Sequence, residues 1–359
     1  MHVETGRHLY GGAGQVLSLI VGLEQYGVRG TLVCPEGSLV AVAAQARGIE
    51  VVPVPMSGDL DVGFVFRLRR VIRQIRPDLV HVHSRRGADR FGGPAAVLAR
   101  VPAILSRRVD RPESAWARPR YWPYKKVIAI SAYIEEQLRA TGVPERKLRL
   151  VSSGVLPEAC APSWSRKKFL TEFGLDDDDF VIAMIAQLIP RKGQRYLLDA
   201  LPKIHASFRG TRVLLFGAGP QEKKLADLIR QKRLDKLVQL AGHRTDLLEF
   251  LGHVQLVAHP ATREGLGVSL LEAQAAGVPV VGFRVGGVTE AISDGVTGTL
   301  VPARDSDALA EAIIRLAWNP RERAAMSAAA RERVATQFSV DGMVQGNLAV
   351  YREISGGEV

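Results

Sequence analysis

Short apolar runs alternate with longer amphipathic stretches along all 359 residues. In the first half, runs rich in Val, Ile, Leu and Ala fall near 30–34, 50–54, 79–83, 103–106, 127–131 and 148–152. In the second half they fall near 181–187, 212–216, 238–241, 256–259, 280–283 and 299–301. Each is short and almost continuously apolar, which is how a strand buried on both faces reads. The stretches between them carry apolar residues at helical spacing; residues 67–76 put four arginines beyond Arg67 on the face opposite such a stripe. This alternation predicts an α/β chain with two doubly wound parallel sheets in succession, hence two Rossmann-like domains. The polar stretch 157–162, and then 164–179 with its four consecutive Asp, reads as the break. The first domain is expected over 1–158 and the second over 159–338, with a closing helix in the tail 339–359.

Composition narrows the class without deciding the chemistry. Apolar residues make up 47% of the chain, as in a soluble globular protein with ample core. The longest apolar run, 181–189, is interrupted by Gln187 and is too short to span a bilayer. Met1-His2-Val3 opens without an apolar signal region. Cys34 and Cys160 are the only cysteines, with no paired spacing, which fits a reducing cytosol and no metal framework.

Charge is uneven. Residues 1–158 hold 23 Lys/Arg and 14 Asp/Glu, a net +9 of the chain's +11. Nucleic acid and an anionic membrane surface are the partners such an excess suggests. No nucleic-acid-binding signature accompanies it, so nucleic acid is the unlikely one. Trp116, Tyr121, Trp122 and Tyr124 interleave with Arg118, Arg120, Lys125 and Lys126. Two readings stand for that stretch: a bilayer interface, or a loop packing its own aromatics.

The richest chemistry is in Glu264-Gly265-Leu266-Gly267-Val268, followed by Glu272 and then Gly277-Val278-Pro279. A Gly-rich turn opening a helix near Gly267 presents unpaired backbone N–H groups and a positive dipole end, which suits phosphate. Glu264 and Glu272 can then accept hydrogen bonds from hydroxyls of the same ligand. A nucleotide-diphospho-sugar asks for that combination. Arg191 and Lys192, before Gly193, offer positive charge for a diphosphate. Gly217-Ala218-Gly219 begins like a dinucleotide fingerprint, but Glu222 stands where the third small residue is needed. His81 and His83 alternate onto one face at a strand's carboxyl end; with no Cys or carboxylate cluster beside them, no metal site is expected.

The Glu-x7-Glu segment resembles that of glycosyltransferase family four. So do Gly11-Gly12, as a loop before an apolar-periodic helix, the strand 77–83, Arg191-Lys192-Gly193, Gly286-Gly287 and the turn 297–302, which together span most of the chain. The resemblance implies the GT-B fold, two Rossmann-like domains facing a cleft, and a retaining, metal-independent, hexosyl-type transferase. It implies an N-terminal acceptor-binding domain on which the tail helix packs, and a C-terminal nucleotide-sugar-binding domain. No cofactor is implied beyond the donor substrate. On this basis Glu264, Lys192, Arg191, His83 and Arg108 are the candidate catalytic residues. Gly11, Gly12, Gly217, Arg244, Gly265, Leu266, Gly267, Val268 and Glu272 are the candidate donor-binding residues. Expected partners are a nucleotide sugar, a glycan or lipid-linked acceptor of envelope polysaccharide or lipopolysaccharide synthesis, and an anionic membrane surface on the cytoplasmic side.

The chain departs from the family in three places. Gln187 replaces an arginine five residues before Lys192. Leu105-Ser106-Arg107-Arg108 replaces a segment carrying a histidine; a charged acceptor and plain surface are the two readings of those arginines, and the charged acceptor is preferred. The first strand is shorter than the family's, as if the start were truncated or lay inside that strand. A catalytically weak sugar-nucleotide binder and a basic nucleic-acid-binding protein are the alternative readings.

Overall fold

The computed structural model describes residues 1–83 and 87–356. Its strands form two all-parallel sheets. The first contains β1 (His2–Val3), β2 (Thr31–Cys34), β3 (Glu50–Pro53), β4 (Val80–His83), β5 (Ala103–Arg107), β6 (Lys126–Ala129) and β7 (Leu148–Leu150), in the order β3-β2-β1-β4-β5-β6-β7. The second contains β8 (Phe180–Ile185), β9 (Thr211–Phe216), β10 (Val238–Gly242), β11 (Leu256–His259), β12 (Val280–Phe283) and β13 (Gly298–Val301), in the order β10-β9-β8-β11-β12-β13. The twelve sequence-read strands are all present, and β1 is the strand that the sequence signals too weakly to fix.

The chain divides into two compact units, Met1–Gly154 with the segment from Val340 onward, and Val155–Ser339. In each, helices cover a sheet that is apolar on both faces, as the continuous apolar runs require. In the second unit Ile182, Met184, Leu215, Leu256 and Val281 pack against helix residues such as Leu197, Leu201 and Ile313. In the first unit the helix Val340–Ser355 lays Met343, Val344, Leu348 and Tyr351 against Leu19, Leu23, Ile104 and Ile128. The expected tail continues to residues 357–359, which lie outside the described residues.

The strand order fixes where ligands can sit. In each sheet the order reverses beside the first strand: β1 lies between β2 and β4, and β8 between β9 and β11. Helices leave to opposite faces there, so the loops after β1 and β4, and after β8 and β11, diverge and open a crevice at the carboxyl edge.

Candidate active site

The sharpest side-chain cluster lies at the switch point of the second unit. The short turn Pro190–Lys192 follows β8, and the segment 260–267 follows β11. Their backbones touch: the Thr262 amide and hydroxyl both donate to the Arg191 carbonyl, at 2.8 and 3.2 Å. Gly193 has φ +78°, and a Cβ there would stand 1.9 Å from the Pro260 carbonyl oxygen. Only glycine allows that approach.

The approach brings Lys192 Nζ into an ion pair with the Glu264 carboxylate, side chains 13% and 12% exposed. His259, the last residue of β11 and 1% exposed, places Nε2 3.1 Å from Glu264 Oε2. Oε1 of Glu264 accepts from the Gly265 amide at 3.1 Å. The turn is clamped from behind: the Gly287 amide donates to the Glu264 carbonyl at 3.0 Å, and a Cβ on Gly287 would stand 2.0 Å from the Gly265 oxygen. Burial alone would push the Glu264 carboxyl up; the Lys192 ammonium and the His259 bond outweigh it and hold the group well below the usual carboxylate range. Burial pushes His259 down, against the pull of Glu264, so its ring is neutral near pH 7. An ionised carboxylate can only accept, so the geometry assigns the ring proton to Nε2.

Gly267 (φ +90°) precedes the helix Val268–Ala275, which begins with no side-chain cap. The amides of Val268 and Ser269 and the dipole end are available to an anion, while those of Leu270 and Leu271 donate to the Gly267 carbonyl. The Ser269 hydroxyl donates to the Ile185 carbonyl at 3.2 Å and pins this helix start to the end of β8. Leu266 is 1% exposed, so its side chain serves the core while its backbone forms the turn. Glu272 lies one turn inside the helix, where desolvation pushes its carboxyl up to about 7. Desolvation, reinforced by the Glu272 charge, pushes the Cys160 thiol up to about 12.

Two of the expected donor-binding residues, Gly217 and Arg244, are engaged by the protein itself. Gly217 has φ +141°, and a Cβ there would meet the Ala186 oxygen at 2.0 Å; Gly219 stands the same way to Leu188 at 2.5 Å. Close packing of the 217–219 loop on the 186–188 segment accounts for both glycines. Arg244 is committed to protein carboxylates, donating to Asp246 at 2.8 and 2.7 Å and to Glu172 at 2.6 Å. Arg191 donates through Nη1 to the Arg263 carbonyl at 3.3 Å.

In the first unit the switch point gathers a second group. Gly11 and Gly12 are expected in a loop; the structure corrects this, because Gly11 already begins the helix Gly11–Glu24. A Cβ on Gly12 would come 3.9 Å from Arg108 Cδ. Arg108, just beyond β5, donates through Nη1 to the Ser153 hydroxyl at 3.3 Å. Beside it Gln15 and Gly154 exchange two bonds, at 2.7 and 2.9 Å. Desolvation lowers Arg108 to about 10 despite the opposing Glu4 charge. A half-desolvated guanidinium at a strand end suits a phosphate or carboxylate.

His83 is fully buried and does not open onto this edge. It joins His2 and His81, whose ring nitrogens come within 4.8 Å of one another. The sequence reading missed His2, because β1 is too short to announce itself. His81 spends Nδ1 on the Tyr351 hydroxyl at 2.7 Å and Nε2 on the Ser106 hydroxyl at 2.8 Å. The His2 and His83 rings are stacked within 10° of parallel, with a 3.1 Å contact between Nδ1 and Nε2. Near-parallel rings do not aim their lone pairs at one point, so the trio reads as a buried hydrogen-bonded seam rather than a ligand set. Burial holds all three well below the usual histidine range.

The two parallel-sheet units define a fold of the GT-B type. Residues 10–159 match the family described as Glycosyltransferase Family 4, and 165–333 the one described as Glycosyl transferases group 1. The chain is 31% identical over 306 residues to a D-inositol 3-phosphate glycosyltransferase of Saccharomonospora viridis, covering 77% of this chain and 70% of the relative. It is 32% identical over 215 residues to a GDP-mannose-dependent alpha-(1-6)-phosphatidylinositol monomannoside mannosyltransferase of Mycolicibacterium smegmatis, 57% of this chain and 56% of that protein. The chain thus spans little more than half of the mannosyltransferase's length. Among solved structures, Anabaena HepE in complex with UDP and glucose superposes with a TM-score of 0.88 at 21% identity, over 99% of this chain and 98% of that one. WaaG, a glycosyltransferase involved in lipopolysaccharide biosynthesis, superposes with 0.74 at 17%, over 99% and 100%. The chain belongs to glycosyltransferase family four.

Proposed function

We propose that the chain transfers a sugar from a nucleotide-diphospho-sugar to a phosphate-bearing glycan or lipid-linked acceptor, with retention of configuration and without a metal. The observation that carries this reading is the Glu264 turn. One segment joins a lysine, unpaired helix-start amides and two carboxylates, and a diphosphate joined to a polyhydroxylated sugar needs all three.

Donor binding is assigned to the second unit. The diphosphate takes Lys192, Arg191 and the amides of Leu266, Gly267 and Val268; Glu272 accepts from the ribose hydroxyls and Glu264 from the sugar. The bond from the anomeric carbon to the diphosphate breaks, and a bond to the acceptor oxygen forms on the same face. The acceptor hydroxyl proton passes to the departing phosphate oxygen. Developing charge on the diphosphate is met by Lys192 and the helix start. The acceptor is assigned to the first unit, where Arg108 reads its negative charge. The inositol phosphate and phosphatidylinositol mannoside named for the relatives both carry a phosphate, which supports this. The setting proposed is the cytoplasmic face of an anionic membrane, in envelope glycan synthesis. Among the described residues no helix is long and apolar enough to cross a membrane.

The experiment is transfer from UDP-, GDP- and ADP-sugars to inositol phosphate and to lipid-extract acceptors, with the product's anomeric configuration read by NMR. Retention, with Arg108→Ala raising the acceptor KM and leaving donor hydrolysis intact, supports the reading. Inversion refutes the mechanism, and equal loss in both half-reactions moves Arg108 to the donor.

A further inference from the structure

The segment Ala115–Tyr121 forms a 3-10 helix, and Trp122 continues it. In such a helix residues three apart share a face. Trp116, Pro119 and Trp122 therefore line one side, which points outward: Trp116 is 93% exposed and Trp122 75%. The other sides hold the segment down. The buried Tyr121 donates its hydroxyl to Glu113 at 2.5 Å. Arg120 pairs with the same Glu113, and with Asp89 at 3.3 Å. Buried Tyr124 is hydrogen-bonded to the Gly93 amide at 3.0 Å and to the Asp89 carbonyl at 2.9 Å. Lys147 donates to the carbonyls of Tyr121 and Trp122 at 3.2 and 2.9 Å. The two indoles stand on a fixed base, so inserting them elsewhere costs little ordering entropy.

Around them the charge is positive. Arg118, Lys125 and Arg146 are exposed, and Lys147 sits between Arg146 and the Trp122 backbone. The neighbouring acids are already engaged: Glu113 by Arg107, Arg120 and Tyr121, Glu145 by Arg139, and Glu353 by Lys126 and Arg149. Indoles favour the boundary between headgroups and acyl chains, and a ring of cations favours lipid phosphates. We propose that this patch is an interfacial anchor for an anionic bilayer, with Trp116 and Trp122 entering the headgroup boundary and Arg118, Lys125 and Arg146 facing the phosphates. It gives the membrane partner of the proposed function a defined point of attachment. It rests on that reading only for its purpose, access to a membrane-borne acceptor; the binding itself requires no turnover.

The test uses the full chain with vesicles of phosphatidylglycerol and phosphatidylcholine, against phosphatidylcholine alone. The wild type is expected to sediment with the anionic vesicles at 0.1 M salt. The attraction should weaken at 1 M, where the Debye length falls from about 10 Å to about 3 Å. Each cation near an anionic surface is worth about fivefold, so Lys125→Ala with Arg146→Ala should lower partitioning about 25-fold. Trp116→Ala with Trp122→Ala should lower it at both salt concentrations. Lipids brominated near the headgroup should quench the wild-type indole fluorescence and spare that double variant. Nucleotide-sugar binding should be unchanged in both pairs. Three results would overturn the anchor: no sedimentation with either vesicle at low salt, undiminished sedimentation of the double Trp variant, or a wild-type dimer that the Trp changes dissolve, which gives the patch to a second copy. Vesicle binding without sugar transfer counts against the proposed enzyme activity and leaves the anchor standing.

Discussion

Lys192 and Glu264 are 72 positions apart and meet as a buried ion pair. Neither strand places them together. The contact depends on Gly193 lying flat against the Pro260 carbonyl, which brings the loops after β8 and β11 within one side chain's reach. The carboxylate that would hold the sugar therefore already holds the cation that would hold the diphosphate, and donor binding would replace that pairing with phosphate.

Removing Lys192 takes the counter-charge from Glu264 and leaves the carboxylate held only by His259 and the Gly265 amide. Lys192→Ala should destabilise the second unit by about 3–5 kcal/mol, while Lys192→Met with Glu264→Leu should recover most of that loss. Urea denaturation of the three proteins checks this. Equal destabilisation by the single and double changes would mean that the pair contributes packing rather than charge.

His259 should act by positioning Glu264. His259→Ala loses a hydrogen bond to a buried charge, worth about 1.5–3 kcal/mol, or roughly 10–100-fold in turnover. The donor dissociation constant should change little. His259→Asn, which keeps a donor, should restore part of kcat. A loss of donor affinity as large as the loss of kcat would make His259 a binding residue instead.

The two carboxylates should give stability opposite pH dependences. Glu272 binds its proton more tightly folded than unfolded, so its contribution falls as pH rises from about 4.5 to about 7, by at most about 3 kcal/mol. Glu264 is depressed by folding, so its contribution is full above the unfolded value and is lost as pH falls through the folded one. Glu272→Gln should flatten the decline between pH 4.5 and 7 and leave the acid limb unchanged. Stability measured by urea midpoint across pH 4 to 8 checks the sign.

Gly193→Ala and Gly287→Ala should each be costly. The new methyl would stand 1.9 Å from the Pro260 oxygen in one case and 2.0 Å from the Gly265 oxygen in the other. Backbone must move in both, so each should cost about 1–3 kcal/mol and misplace Glu264. Gly295→Ala makes a useful control for Gly193 above all: its φ is positive too, at +74°, but open space surrounds it. If the Gly193 and Gly287 changes were no worse than that control, close loop packing would not be what shapes the turn.

The periodicity of the apolar runs made the two sheets legible, because a strand covered on both faces cannot hide its composition. It also made the Glu264 turn legible, since glycine spacing and a helix start are local signals. The pairing of Lys192 with Glu264 is not local, and neither is the seam joining His2 to His81 and His83; both arise from strand order. His259 had a faint signal, a polar residue closing an apolar run. Arg244 stands among the donor-binding candidates that the resemblance implies, and no local rule announces that Asp246 and Glu172 engage it. The Gly217 turn shows the opposite case: a phosphate-like glycine pattern that backbone packing explains.

The central claim is that the second unit binds a nucleotide-diphospho-sugar through Lys192 and the Glu264–Glu272 segment. Calorimetric titration of the wild type, Lys192→Ala and Glu272→Gln with UDP-, GDP- and ADP-sugars tests it most directly. The account predicts that one nucleotide class binds the wild type and that each variant, still folded, binds it at least about tenfold more weakly. Binding to none of the three classes by the folded wild type, or equal affinity in all three proteins, would contradict it.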